Sequence, residues 1–362
     1  MKRILTAIQE KANKLLLLTL LAGAITSCDS VLDYDDGDCS IEYCVKFKYD
    51  YNMEEVDVFA QQVRTVTLYA FDENENLVYQ KTDQGEQLGE GNYSMKVDID
   101  PSKYHLIAWA GLNDESFAVS LLYPQQSQIE ELKVKTLRKA VTRSASEEEK
   151  GNYIVEQELH SLWHGEVKSA PTTRSGRQQI STVSLVKNTN NIRIVVAQVN
   201  QSDGPVTRAL TAETFKCEIY DDNGYMNYDN SLLDDNLLTY KPFVVEPETV
   251  SSRAFSEAGE PAEEYKSVVS EISVARLMAD KTPELTIKNS KTQETLFHVS
   301  NLVKYLEKLQ LEKYKDRHYT LQEYLDREDA YSMIIFVDEK LALIKTVIDI
   351  NDWIIQINDI EL

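Results

Sequence analysis

The chain has 362 residues, with 38 Lys and Arg against 60 Asp and Glu, giving a formal charge of −22 at pH 7. So acidic a surface repels phosphate backbones and anionic headgroups, which excludes nucleic acid as a partner and any membrane contact made through basic patches. The length fits two domains on a prior of ~150 residues each.

The first forty residues carry a secretory pattern. Lys2, Arg3, Lys11 and Lys14 form a basic start, an apolar run covers 15–24, and Ile25-Thr26-Ser27-Cys28 closes it. A branched apolar residue and two small residues before cysteine make a lipobox: cleavage before Cys28, a diacylglyceryl thioether on its sulfur, and acylation of the new amine, with palmitate as a typical chain. The apolar run is too short for a spanning helix, which needs about 20 residues. Two or more acyl chains, each buried methylene contributing ~0.8 kcal/mol, make a durable anchor. Residues 1–27 thus read as a signal peptide, and their removal takes away four basic residues and one acidic one, leaving a charge of −25. Residues 28–40, with Asp29, Asp33, Asp35, Asp36 and Asp38, are too acidic to pack and read as a solvated tether. Acidic residues directly behind the lipidated cysteine also resemble the surface-export signal of Bacteroidales lipoproteins.

Period-two alternation then dominates. In 43–49 the odd positions are apolar and the even ones mostly polar, the mark of a half-buried strand. Residues 54–62 read as one or two helical turns. Further strands are predicted at Thr65–Phe71, 93–99 and His105–Ala110, with turns at 72–76 and 100–102. Short strands at this spacing argue a β-sandwich over 41–170. Segment 143–151 reads as a loop, and 168–179, with Pro171 and Gly176, as the connection between domains. A second β series fills 171–362, with strands expected at 182–186, 192–199, 215–220, 265–275, 284–287, 331–337 and 346–357. Asn223-Gly224 reads as a hairpin turn. Residues 302–312 and 321–326 have helical spacing and would be crossovers or caps.

Of the four cysteines, Cys28 is committed to lipid. Cys217 falls on the apolar side of its strand and reads as a buried thiol. Cys39 and Cys44 could pair across a turn, but not along one straight strand, where five residues span ~16 Å. The five histidines, His105, His160, His164, His298 and His318, stand in no HExxH and beside no cysteine at ligand spacing. His164, next to Trp163, reads as structural. Asp221-Asp222-Asn223-Gly224 has neither the spacing nor the final Glu of a calcium loop. No phosphate-binding glycine loop and no nucleophile elbow are present. The expectation is a protein without catalytic residues, metal or cofactor.

Several segments in order, 38–39, 45–53, 58–63, 66–72, 104–112, 162–165, 183–192 and 324–329, resemble the minor fimbrial anchor family of Bacteroidales, the FimB-type and Mfa-type lipoproteins. The resemblance implies an all-β fold of two tandem transthyretin-like β-sandwich domains with a few short helices. It implies a lipoprotein of the outer membrane, exposed at the cell surface, that holds a fimbrium and terminates its growth. The implied partner is the major fimbrial shaft subunit, joined by strand addition. Trp109 and Trp163 then read as core aromatics. In related shaft subunits an arginine-specific protease removes the first strand. Here the first arginine after Cys28 is Arg64, beyond the first strand, so that strand is expected to stay and plug its own groove. Residues 353–362 are either a donor strand or the closing strand of the second sheet. The alternatives are a fimbrial tip or accessory adhesin and a surface glycan-binding lipoprotein.

Overall fold

Alternating side chains become sheet faces in the computed structural model, which describes residues 41–112, 115–141, 150–169, 171–199, 210–251, 264–314, 316–350 and 353–357. The signal, the tether, Cys28, Cys39 and most of the 143–151 loop lie outside the described residues. Described strands fall into five sheets, with three short helices, and Tyr43–Leu362 forms one unit.

The first sandwich sets two sheets face to face. One contains β1 (Glu42–Lys48), β4 (Met95–Val97), β11 (Thr172–Ser175) and β12 (Gln178–Ser184), in the order β11-β12-β1-β4. The other contains β2 (Thr65–Phe71), β3 (Leu77–Gln84), β5 (His105–Ala110), β10 (Trp163–Val167) and β13 (Val186–Lys187), in the order β13-β10-β5-β2-β3. Val45 and Phe47 of β1 meet Val66, Leu68 and Ala70 of β2 and Leu106, Ala108 and Ala110 of β5 in one core. The alternate residues Tyr69, Phe71, Ile107 and Trp109 point to the opposite face and join the largest cluster of the molecule. The central sheet is therefore buried on both faces, which is why β2 and β5 read as nearly unbroken apolar runs.

The second sandwich pairs two six-stranded sheets. The order β18-β19-β14-β22-β23-β24 uses β14 (Thr189–Gln198), β18 (Val244–Ser251), β19 (Glu264–Ala275), β22 (Ala330–Val337), β23 (Leu343–Ile350) and β24 (Trp353–Ile357). Facing it, β21-β20-β15-β17-β9-β8 uses β8 (Lys139–Ala140), β9 (Tyr153–Val155), β15 (Phe215–Asp221), β17 (Leu238–Tyr240), β20 (Glu284–Asn289) and β21 (Thr295–Val299). A small sheet of β6 (Phe117–Val119), β7 (Val134–Thr136) and β16 (Tyr225–Met226) lies beside them in sequence and shares the large core. Strands β14 and β22 run parallel, so the chain between them must cross over, as parallel pairs require. Part of that route is helical. Helix α1 (Phe59–Gln62) belongs to the first sandwich, whereas α2 (Leu302–Lys313) and α3 (Leu321–Arg327) precede β22. Asn301 caps α2 by accepting the Lys304 amide at 3.0 Å, and Thr320 caps α3 through the Glu323 amide at 3.2 Å. Leu302, Val303, Tyr305 and Leu306 form the buried stripe of α2.

Several expectations change here. Segment 168–179 is not a bare connection: β11 and the start of β12 occupy it and pair in the sheet of β1. Strands β8 and β9, by contrast, pair in the second sandwich, so strands cross the expected boundary at residue 170 in both directions. Periodicity reports which face a side chain takes and nothing about which strand lies alongside. The run expected as one strand over 346–357 is an antiparallel pair, β23 and β24, interrupted where the sequence turns polar at Asn351-Asp352. Asn223-Gly224 is not a hairpin turn either, because β15 and β16 belong to different sheets. Asn223 is buried, donating to the Ala275 and Arg276 carbonyls, both at 3.1 Å, and accepting the Tyr240 hydroxyl at 2.6 Å. Gly224 is needed because a Cβ would stand 2.5 Å from Leu238 Cδ1.

Gly111 carries the strictest backbone demand. Its φ is +81°, and a Cβ there would lie 2.0 Å from the Ser161 carbonyl oxygen. Gly111→Ala is expected to lose about 3 kcal/mol in urea unfolding, from the strained φ together with the overlap. A midpoint equal to the parent's would refute this.

Candidate functional site

The described chain begins on β1, and its opening strand is fastened from several sides. β12 and β4 flank β1, with Tyr43, Cys44 and Val45 paired to Val97, Lys96 and Met95. The Lys48 carbonyl accepts the Leu185 amide at 2.8 Å, and the Tyr49 amide donates to Asp57 Oδ1 at 3.0 Å. Val45, Phe47 and Tyr49 are buried, each contributing about 1.5–3 kcal/mol. The Tyr49 ring meets Trp163 edge-on at 5.8 Å.

The loop after β1 is tied to the other end of the chain. The Arg327 guanidinium lies over the Tyr51 ring at 4.0 Å and over Tyr319 at 4.9 Å, and it donates to the Asn52 carbonyl at 3.2 Å. Arg317 and the Tyr319 hydroxyl both donate to Glu55 Oε1 at 2.7 Å, and these bonds, Tyr319's first, hold the Glu55 carboxyl below the usual range. Lys187 pairs with Asp329, whose carbonyl accepts the Asn191 amide at 2.8 Å. Thus the segments 45–53, 183–192 and 324–329 meet in space.

Arg64 follows α1 at the start of β2. Its side chain is exposed, yet its guanidinium is occupied with the carbonyls of Ala60, Gln61 and Val63 at 2.8–2.9 Å, capping the one-turn helix. The Arg64 carbonyl accepts the Gly85 amide at 2.9 Å.

The residues weighed for chemistry have structural partners. His164 sits edge-on to Trp109 at 4.8 Å and faces the Tyr228 carbonyl at 2.8 Å; burial pushes its imidazole down to about 4, so it is neutral. Trp109 and Trp163 are core residues. Cys217 is buried, and burial raises its thiol to about 12, far from a reactive thiolate. Sequence reading passed over one pair: Ser116 Oγ lies 3.0 Å from His160 Nδ1. Ser116 is fully buried and also accepts the His160 amide at 3.0 Å, so the pair anchors a turn and offers no nucleophile. Among the described residues, no three His, Cys, Asp or Glu side chains gather as metal ligands, and no helix is long and apolar enough to cross a membrane.

The fold has solved counterparts. A proposed adhesin of Bacteroides thetaiotaomicron is 32% identical with a TM-score of 0.70, over 88% of this chain and 99% of that one. A proposed polysaccharide-binding protein of the same species is 30% identical with a TM-score of 0.64, over 88% and 100%. The fimbrial anchor protein Mfa2 of Porphyromonas gingivalis shares the fold at 12% identity and a TM-score of 0.55, over 87% and 98%. No curated protein matches the sequence. The β-sandwich fold, with an opening strand built into its sheet, thus places the chain among adhesin-like proteins of Bacteroidales. The profile of the fimbrillin-A associated anchor proteins Mfa1 and Mfa2 matches residues 35–359, and the chain belongs to that family.

Proposed function

We propose that this protein is a lipid-anchored minor fimbrial subunit that holds a fimbrium to the outer membrane and ends its growth. Acyl chains on Cys28 would supply the anchor, and the shaft subunit would join by strand addition. The observation that carries this reading is the retention of β1: flanked by β12 and β4 and inserted into its own core, it leaves no groove for an incoming strand. Arg64 supports it, because a guanidinium already bonded to three carbonyls is a poor protease substrate. β24 pairs within its own sheet and forms its edge among the described residues, which favours the closing-strand reading and leaves that edge for a partner strand.

N-terminal analysis of the protein from outer membranes is the direct test. The expected product begins at an acylated Cys28; a start at residue 65, or an unlipidated N-terminus, overturns the proposal. Deleting residues 353–362 is expected to release fibres into the medium. Retained fibres of parental length would show that strand addition does not run through β24. The 32% identical adhesin favours one alternative, a tip or accessory adhesin. Immunogold labelling at distal fibre ends would decide for it.

A further inference from the structure

At one end of the β21-β20-β15-β17-β9-β8 sheet, side chains far apart in sequence enclose a cavity of about 400 Å³, within the range of ligand pockets. Its acidic lining comes from Asp221 and Asp222 after β15, Asp235 before β17, and Asp280 and Glu284 before β20. Three of these carboxylates have cations: Asp222 pairs with Lys281 at 2.9 Å, Glu284 with Lys150 at 2.5 Å, and Asp235 with Arg138 at 2.6 Å.

Asp221 differs from the others. It is only 3% exposed; its Oδ1 accepts the Asp222 amide at 2.9 Å, while its buried Oδ2 has no hydrogen-bond partner. An uncompensated buried carboxylate oxygen is costly, and burial lifts this carboxyl to about 7. What such an oxygen lacks is a donor carrying positive charge. A sugar is a poorer fit, because the Tyr220 ring that would stack on it is buried beneath the Lys150 ammonium, 5.2 Å from its centroid. A metal ion is poorly served too, since no ligand triplet forms among the described residues.

We propose that this cavity is a recognition pocket for one basic side chain, lysine or arginine, presented by a protein partner, with Asp221 receiving its charge. The charge of −22 at pH 7 draws cationic surfaces toward the molecule, and the cavity supplies the point where one cation is desolvated and held.

The test uses the full mature protein, titrated in amide-resolved NMR with acetylated, amidated Gly-Lys-Gly, Gly-Arg-Gly and Gly-Gln-Gly. Saturable shifts at Asp221, Asp222 and Thr282 are expected with one or both basic peptides and not with the glutamine peptide. Asp221→Asn should weaken binding at least tenfold while leaving the remaining spectrum in place. Asp280→Asn, at an exposed position that folding does not need, should weaken it two- to threefold. Equal shifts with the glutamine peptide, parental affinity in Asp221→Asn, or saturation of the same amides by calcium alone would each overturn the proposal. Should Asp221→Asn fail to fold, parental affinity in Asp280→Asn together with shifts from the neutral peptide would overturn it as well.

Discussion

Arg276→Met will destabilise the protein by about 3–5 kcal/mol, the usual result of removing one partner of a buried ion pair. The Arg276 guanidinium grips Asp326 through Nε and Nη2 at 2.8 and 2.7 Å, and its Nη1 donates to the Asn230 carbonyl at 2.7 Å. Both side chains are largely buried, at 12% and 8% exposure. Without the arginine, Asp326 keeps only the Gln322 amide, at 2.9 Å, in a medium that solvates a carboxylate poorly. The effect reaches beyond the pair, because the Arg276 carbonyl is one of the two that hold Asn223. Removing both charges, in Arg276→Met with Asp326→Leu, should recover at least half of the loss, since no charge is then stranded. Thermal unfolding of the two variants decides the matter. A single variant as stable as the parent, or a double variant no better than the single, would be incompatible with this account.

Two buried titrating groups are expected to pull the pH dependence of stability in opposite directions. Burial raises the Asp221 carboxyl from its ordinary 3.8 to about 7. Between those values the native state holds a proton that the unfolded chain has released, so stability from this group falls as pH rises. Burial lowers the His164 imidazole from 6.5 to about 4. There the unfolded chain holds the extra proton, and stability from this group rises with pH up to 6.5 and is lost as pH falls toward 4. At ~1.4 kcal/mol per pH unit each contribution is of order 3 kcal/mol, so the two nearly cancel. Relative to the parent, Asp221→Asn should therefore gain about 3 kcal/mol between pH 4 and pH 8. His164→Gln, whose amide can still donate to Tyr228, should drift the other way between pH 4 and 6.5. Urea unfolding at intervals of half a pH unit measures both. Differences from the parent that stay flat with pH would contradict it.

The core strands were legible because burial leaves its period in the sequence. Thr65–Phe71 and His105–Ala110 fall where alternation and turn residues place them, and α2 and α3 lie where a 3.6-residue spacing runs. The strand Leu77–Gln84 was missed because it forms a sheet edge with Lys81, Thr82 and Asp83 turned toward water, and it follows directly on a turn-rich stretch. Strands of two or three residues, such as β8, β13 and β16, are too short to show any period. Pairing was not legible at all: Asn191 lies beside Ala330, and no local pattern announces a partner so distant. The lipid site shows the opposite asymmetry, since Cys28 is recognised from its neighbours in the chain. The acidic cavity could not be found that way, because Lys150, Asp221, Asp235 and Lys281 converge only after folding.

The seating of β1 also sets how the protein meets force. Tension arriving from the N-terminal side enters the fold along this strand, with ladders on both flanks and Phe47 and Tyr49 lodged in the core. Such a pull loads those hydrogen bonds in shear, so many must fail together before the strand slides, whereas peeling an edge strand breaks them one at a time. Resistance of that kind is set by the unfolding barrier rather than by equilibrium stability. A strand so placed is suited to a molecule held at one end while drag acts on the other.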